Sequence, residues 1–338
     1  MDVLHLVGAT STRFYLELSQ TYHRHCVQPA GTRSRVLTVH PDGRLTWDAG
    51  LDARPVGLGQ ALNLAARCDV CVPHMFCVPG MTTWRGVIED VAGVPVVGPP
   101  LASTAVTTSK WQTKAAARTA GVTVPEAVRL APGDPRPTPA LPCIVKPDAE
   151  DNSLGLTLVR EAGQLDAALD TAFRHGATAL VETYVPGREL RVGVLDEGDG
   201  PRLLPVLEYH VTPDRPIRVR SDKVDVDAGG GVTEQSWRNP SLPTTCPAEI
   251  DAPLREALTR MALTMHEVTG GRDYSLYDVR VAPDGTPHLL EACTFWTFSR
   301  LSVVTRMIQA EGRDLEDVAL TLWGNAAARR PVPAVAAE

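Results

Sequence analysis

Two acidic residues stand at matching places on either side of a turn signal. Asp278 lies inside the apolar run 277–281 and Glu291 closes the run 288–291, with Pro283-Asp284-Gly285 between them. That pattern predicts a hairpin, in which both carboxylates can face one point across neighbouring strands. Paired hard oxygen donors suit Mg²⁺, which also takes nucleotide phosphates as ligands. The plain alternative is two acids on a solvated strand face.

Lysine is scarce: Lys110, Lys114, Lys146 and Lys223 are the lysines among 33 basic residues. Where arginine is the default, a retained lysine marks a place that wants a compact ammonium on a flexible stem. Lys146 ends the apolar run 143–146, just before a small polar loop containing Glu150, Asn152, Ser153 and Gly155. Such a loop can present backbone N–H groups and a point charge to phosphates; an ordinary turn with an exposed lysine is the competing reading.

The elements that would position these residues alternate between strand and helix, the pattern of an α/β protein. Residues 3–7 read as a buried strand ending in a turn at Gly8, with a helix opening after it. Residues 69–74 and 94–98 read as further strands, separated by a helix-like stretch over 84–91. A helix is expected over 103–120, stopped by Gly121, followed by a Pro-rich linker at 131–142. Strands follow over 143–146, 156–160, 179–182 and 189–195. Residues 210–246, with three glycines at 229–231, read as a mobile active-site loop. A helix over 251–269, the hairpin, and a final helix over 302–312 complete the chain. The expected division is an N-terminal α/β substrate lobe over 1–98, a central lid lobe over 99–178, a C-terminal catalytic lobe over 179–325 and a flexible tail over 326–338.

The 338 residues carry a net charge of −7 and a sequence pI near 5.7, with no lysine or arginine block. Nucleic acid is therefore not an expected partner. There is no basic segment leading to a cleavage site and no apolar run of membrane-spanning length, so a cytoplasmic protein is expected. Seven scattered cysteines fit reduced thiols better than a disulfide framework.

Several ordered blocks resemble D-alanine–D-alanine ligases and related ATP-grasp enzymes, from Gly8 to about Gly312. They are His74 and the run to Gly98, Ser109-Lys110, the loop from Lys146 to Gly155, the stretch from Glu182 through Val185 to Glu189, and the surroundings of Asp278 and Glu291. The resemblance implies a three-lobed ATP-grasp fold with nucleotide held between the central and C-terminal lobes. It implies ATP and one or two Mg²⁺ ions as cofactors, and a homodimer. It places Lys110, Lys146 and Lys223 on the phosphates, Glu182, the Val185 backbone and Glu189 at adenine and ribose, and Asp278 and Glu291 on Mg²⁺. The loop with Glu150, Asn152 and Ser153 would close over the phosphates, with Ser153 and Lys223 beside the reacting groups. The implied reaction phosphorylates a substrate carboxylate and lets an amine displace the phosphate, giving an amide, ADP and phosphate.

The sequence departs from that family mostly around the substrates. Cys293 stands where relatives carry a metal-binding Asn, and a soft thiol is poorly matched to Mg²⁺. Arg13 stands where relatives grip a substrate ammonium with Glu, which points to an acidic first substrate or one without a free α-amine. Leu276 replaces an Arg near the transferred phosphoryl group, with Arg280 on the same strand as the compensating cation, and Thr297 replaces an oxyanion-binding Gly. His74 and Ser302 match the family at the substrate sites. The aromatics among residues 294–299 either line an apolar acceptor pocket or pack the lobe. These changes point to the same reaction on other small-molecule carboxylates and amines, in specialised metabolite biosynthesis. D-alanine–D-alanine ligation proper and a nucleotide-binding module without turnover are the alternatives. The spacing of Cys68, Cys71, His74 and Cys77 also resembles a zinc pattern, but strand alternation over 68–72 sends successive side chains to opposite faces. A Cys293–His nucleophile pair has no sequence feature to select its His.

Overall fold

The computed structural model describes residues 1–50, 52–223, 225–226, 232–233 and 242–329. The chain opens with β1 (Asp2–Gly8), β2 (Arg33–Val39), β3 (Leu45–Asp48), β4 (Arg54–Val56) and β5 (Val70–Pro73), in the sheet order β4-β3-β2-β1-β5. β1 lies parallel to both β2 and β5. It is covered on both faces, as its unbroken apolar run requires. Gly8 ends β1 at φ +115°, where a Cβ would stand 2.0 Å from the Val39 carbonyl oxygen, so only glycine fits this turn.

Several expectations needed correction here. No element was read from the sequence between residue 18 and residue 69, yet three strands and the helix Leu58–Ala65 lie there. Residues 94–98 are not a full strand and touch the sheet through a single bridge, Val96 to Cys71. The stretch 84–91 falls in two wide π-type helical segments, Gly80–Trp84 and Val87–Val91.

The helix expected over 103–120 is two helices, Leu101–Thr107 and Lys110–Thr119. Ser109 separates them: its hydroxyl caps the second helix by accepting from the Gln112 N–H, and it also contacts the Asp148 carboxylate. A serine cap competes with helix continuation. The break turns Lys110 into the first turn of a new helix.

The second sheet has the order β6-β9-β7-β8, from β6 (Ala127–Leu130), β7 (Cys143–Pro147), β8 (Thr157–Val159) and β9 (Ala179–Thr183). Cys143, Val145, Ala179 and Val181 pack on the helix Leu165–Phe173. Alternation therefore sends Ile144, Lys146, Leu180 and Glu182 to the opposite face.

The third sheet runs β15-β12-β10-β16-β17, with β11 on β10. Its strands are β10 (Arg188–Leu195), β11 (Arg202–Leu203), β12 (Leu207–Tyr209), β15 (Thr244–Thr245), β16 (Tyr274–Val281) and β17 (Pro287–Cys293). A short ribbon of β13 (Asp225–Val226) and β14 (Val232–Thr233) precedes β15. The Gly229–Gly231 stretch expected in a mobile loop lies outside the described residues. Leu190, Val192, Tyr277, Val279 and Leu289 bury one face of the third sheet against the helix Ala252–Val268.

A last pair of helices, Val303–Ala310 and Leu315–Ala328, ends the described chain. The second was not anticipated, and it runs through the expected boundary at 325/326. Its Leu315, Val318, Leu322 and Trp323 share a core with Val3, Val70 and Val72 of the first sheet, so the two ends of the chain are packed into one another. Among the described residues no helix is long and apolar enough to cross a membrane.

Candidate active site

Period-two alternation decides the chemistry of the third sheet. In register, Glu189 lies opposite Arg280 and Arg191 opposite Asp278; Asp278 in turn lies opposite Glu291, with a bulge between Asp278 and Val279. Because the face carrying Leu190, Val192, Tyr277, Val279 and Leu289 is apolar core, these five charged side chains share the other face. Lys146 and Glu182 of the second sheet face them across a cleft of about 740 Å³. Its walls include Lys110, Lys146, Glu150, Asn152, Ser153, Glu182, Val185, Glu189, Lys223, Asp278, Arg280 and Glu291. The residues that the resemblance assigned to nucleotide and metal thus stand around one space.

The ion pairs are dense. Lys146 Nζ lies 3.1 Å from Glu182 Oε1, and Lys114 Nζ lies 2.8 Å from Glu182 Oε2. Lys110 Nζ lies 3.2 Å from Glu291 Oε2 and donates to the Glu150 carbonyl. Arg280 donates to Glu189 and to the Val185 carbonyl, each at 3.0 Å, and to the Tyr184 hydroxyl at 2.9 Å. Arg280 is therefore at the Glu189 end of the cleft, and the cation that meets Asp278 at its opposite strand position is Arg191. Arg218 bridges Glu189 and Asp278. Arg191, Arg218 and Lys114 were not singled out for the site by sequence reasoning. For Arg191 a signal existed, since it stands two residues from Glu189 and so on the same strand face.

Burial pushes the Asp278 carboxyl up to about 6, against the pull of Arg191. Burial works in the same direction on Glu291, but Lys110, Lys223 and Lys146 outweigh it and hold Glu291 well below the usual range. Lys223 is lowered by burial and by Arg218. Burial pushes the Cys293 thiol up to about 12. A protonated thiol is neither a nucleophile nor a good partner for a hard cation. Asp278 and Glu291 supply clustered hard oxygen donors that fit Mg²⁺, and the lysine-lined cleft suits a nucleotide in charge.

The loop after Lys146 is conformationally committed. Asn152 and Ser153 sit at φ 54° and 57°, a region that non-glycine residues rarely adopt. The Ser153 hydroxyl donates to the Arg218 carbonyl and the Tyr15 hydroxyl donates to Glu150, both across the cleft rim.

The substrate end is different. Two smaller cavities adjoin the cleft and share Met81, Ala149, Glu150 and Asp151. Thr104, Thr107, Thr294, Cys293 and Phe295 line one; Ser11, Tyr15, Phe76 and Cys77 line the other. Arg13 is not among them: its side chain is 77% exposed and pairs with Glu17 one helical turn on. His74 is fully buried against His5, and Thr297 and Ser302 are buried against each other at 3.3 Å. The aromatic stretch divides its roles. Phe295 faces Phe76 at a cavity wall, while Trp296 stacks on Phe298 at 4.0 Å in the core. The Cys68, Cys71 and Cys77 thiols do not converge with His74; the metal-ligand cluster found among the described residues is His5, Cys26 and His74.

A two-sheet cleft holding opposed carboxylates and several lysines has the charge pattern that suits a nucleoside triphosphate with a divalent cation. The comparisons with known proteins agree. A family model described as the D-ala D-ala ligase C-terminus matches residues 136–322, more than half of the chain. The D-alanine–D-alanine ligase of Cupriavidus taiwanensis is 32% identical, with 70% of this chain and 69% of the relative covered. That of Nitrosospira multiformis is 29% identical, with 72% and 74% covered. The structure of the Coxiella burnetii D-alanine–D-alanine ligase superposes with a TM-score of 0.78 at 18% identity, covering 98% of this chain and 94% of that one, which shows the ATP-grasp fold. The chain belongs to the D-alanine–D-alanine ligase family and is an ATP-dependent ligase that forms carbon–nitrogen bonds.

Proposed function

We propose that the cleft binds ATP with Mg²⁺ and that the enzyme joins the carboxylate of one amino-acid-sized substrate to the amine of another through an acyl phosphate. The observation that carries this is the register of β10, β16 and β17, which puts Glu189, Arg191, Asp278, Arg280 and Glu291 on one face opposite Lys146 and Glu182. Lys110, Lys146 and Lys223 would neutralise the phosphates, and Glu182, the Val185 backbone and Glu189 would receive adenine and ribose. Asp278 and Glu291 would hold Mg²⁺, which when bound offsets the negative charge of the phosphates. Catalysis rests on positioning and charge, since phosphoryl transfer asks little covalent chemistry of a protein.

Arg280 serves the ribose end by fixing Glu189 and Tyr184, and Arg191 is the cation at the Asp278 end. Arg218 holds the same two carboxylates and must yield part of that contact as nucleotide enters. The loop from Glu150 to Ser153, tied down by Tyr15, keeps water from a reactive acyl phosphate. The two adjoining cavities take the substrates.

The named relatives join two D-alanines, and that pair is the first to test. A different pair, used in specialised metabolite biosynthesis, is favoured by Cys293, Thr294 and Phe295 at the cavity wall and by the burial of Thr297 away from it. ADP release and product mass are to be measured with ATP, Mg²⁺ and either D-alanine alone or pooled amino acids, dicarboxylic acids and amines. A D-alanine dipeptide supports the first pair. Turnover that needs two pools, with a product one water lighter than their sum, supports the second. ATP binding without turnover on any substrate overturns the proposal.

A further inference from the structure

Three of the five histidines of the first lobe gather in one place that the ligase cleft does not use. His5 lies on β1, His74 follows β5, His23 is in the last turn of the helix Arg13–Arg24, and Cys26 comes just after it. His5 and His74 are at most 1% exposed and Cys26 is 6% exposed. His5 Nδ1 is 2.9 Å from His74 Nε2. A ligand atom from each of these two and the Cys26 Sγ lie within 4.8 Å of one another. The His23 ring stands 4.9 Å from that of His5 and 5.1 Å from that of His74.

We propose that Cys26, His5, His74 and His23 form a closed site for a borderline transition-metal dication of the zinc type. Two nitrogens bound at zinc–nitrogen distances on a tetrahedron stand roughly 3.3 Å apart, close to the observed His5–His74 separation. Cys26 and the two imidazoles of His5 and His74 supply three converging donors, and the neighbouring His23 ring turns in to complete four-coordination; nitrogen and sulfur donors exclude Mg²⁺ and Ca²⁺. The second observation is independent of this spacing. His74 Nδ1 and His23 Nε2 are buried with no hydrogen-bond partner, an arrangement that buried polar groups ordinarily avoid. A ligand role for His23 gives its unpartnered Nε2 a bond and leaves the imidazole in the neutral form a metal needs. Burial keeps His5 and His74 well below the usual histidine range and His23 at about 4.

Binding forms one metal–sulfur and three metal–nitrogen bonds. The Cys26 proton and the proton shared by His5 and His74 rearrange, the thiol proton leaves to solvent, and no group changes oxidation state. Cys26 bridges to Ser299 and Val27 N–H bonds the Phe298 carbonyl. The metal would therefore tie the first sheet to the C-terminal aromatic core, a structural role apart from the Mg²⁺ carboxylates.

The test is Co²⁺ titration of the full chain, chelator-stripped and held in excess Mg²⁺ to occupy the carboxylates. The expected result is about one tightly bound equivalent with a thiolate-to-cobalt charge-transfer band and strong visible bands of tetrahedral cobalt. Cys26→Ser should lose the charge-transfer band. His23→Gln, at a half-buried position that tolerates the change, should weaken affinity at least ~10-fold. Cys293→Ser and Asp278→Asn should change neither. A folded wild-type chain without the band, a band that survives Cys26→Ser, or one that disappears in Cys293→Ser overturns the site; near-UV circular dichroism confirms that each variant is folded.

Discussion

The nucleotide cleft and the substrate end of this molecule were read from the same sequence with unequal success. In the cleft, eleven of the twelve residues expected at nucleotide or metal line one space together with Arg280, and the twelfth, Cys293, borders an adjoining cavity. At the substrate end, Arg13 is on the outer surface, while His74, Thr297 and Ser302 are inside the packing. The lesson is about scaffolds. Most cleft residues, Lys110 and Lys223 apart, sit on paired strands or directly after them, where alternation and register decide facing. Of the substrate residues Arg13 opens a helix, and His74, Thr297 and Ser302 sit on loops, whose facing depends on what packs against them.

The widest separation between the two regions should come from charge removal. Glu291→Gln is expected to lower ligase turnover by about 10²–10³-fold, followed as ADP release, with the fold intact. A variant within a few-fold of wild type would break the assignment of the paired carboxylates. Glu182→Gln removes the carboxylate between the buried Lys114 and Lys146. Stranding those two like charges should cost about 3–5 kcal/mol of stability in urea unfolding.

A pH profile sharpens the comparison further. Asp278 must be ionised to hold a cation, and burial sets its pKa at about 6. Turnover should therefore fall as pH drops through about 6. Arg191 pulls that pKa down, so Arg191→Gln should move the acid limb to higher pH; a limb that stays in place would remove Arg191 from the cation site. The smallest effect belongs to the substrate end. Arg13→Ala severs an exposed one-turn pair worth about 0.3–0.5 kcal/mol and should leave substrate preference and turnover within about twofold. A changed preference would restore Arg13 to the substrate site.

Cys293 and the aromatics show where facing became ambiguous. Cys293 lies opposite Leu276 at the strand end, so alternation could place it beside Glu291 but not say which cavity it borders. Phe295 and Trp296 are neighbours, yet one faces a cavity and the other stacks in the core, a division made by Phe76 on one side and Tyr274 and Phe298 on the other.

By itself the sequence determined the hairpin at Pro283–Gly285, the strands carrying Lys146, Glu182 and Glu189, the polar loop after Lys146 and the ordered blocks that mark the family. Each is a local pattern of period, turn chemistry or residue type, and local patterns survive without knowledge of neighbours. Tertiary structure alone decided that Ser109 splits a helix to aim Lys110 inward, and that Arg191 rather than Arg280 meets Asp278. It also decided that the helix Leu315–Ala328 closes on the first sheet and that His5, His74 and Cys26 from separate segments meet in one core with the His23 ring beside them. Those outcomes depend on contacts between segments far apart in the chain, and burial and charge balance across such contacts carry no local signature.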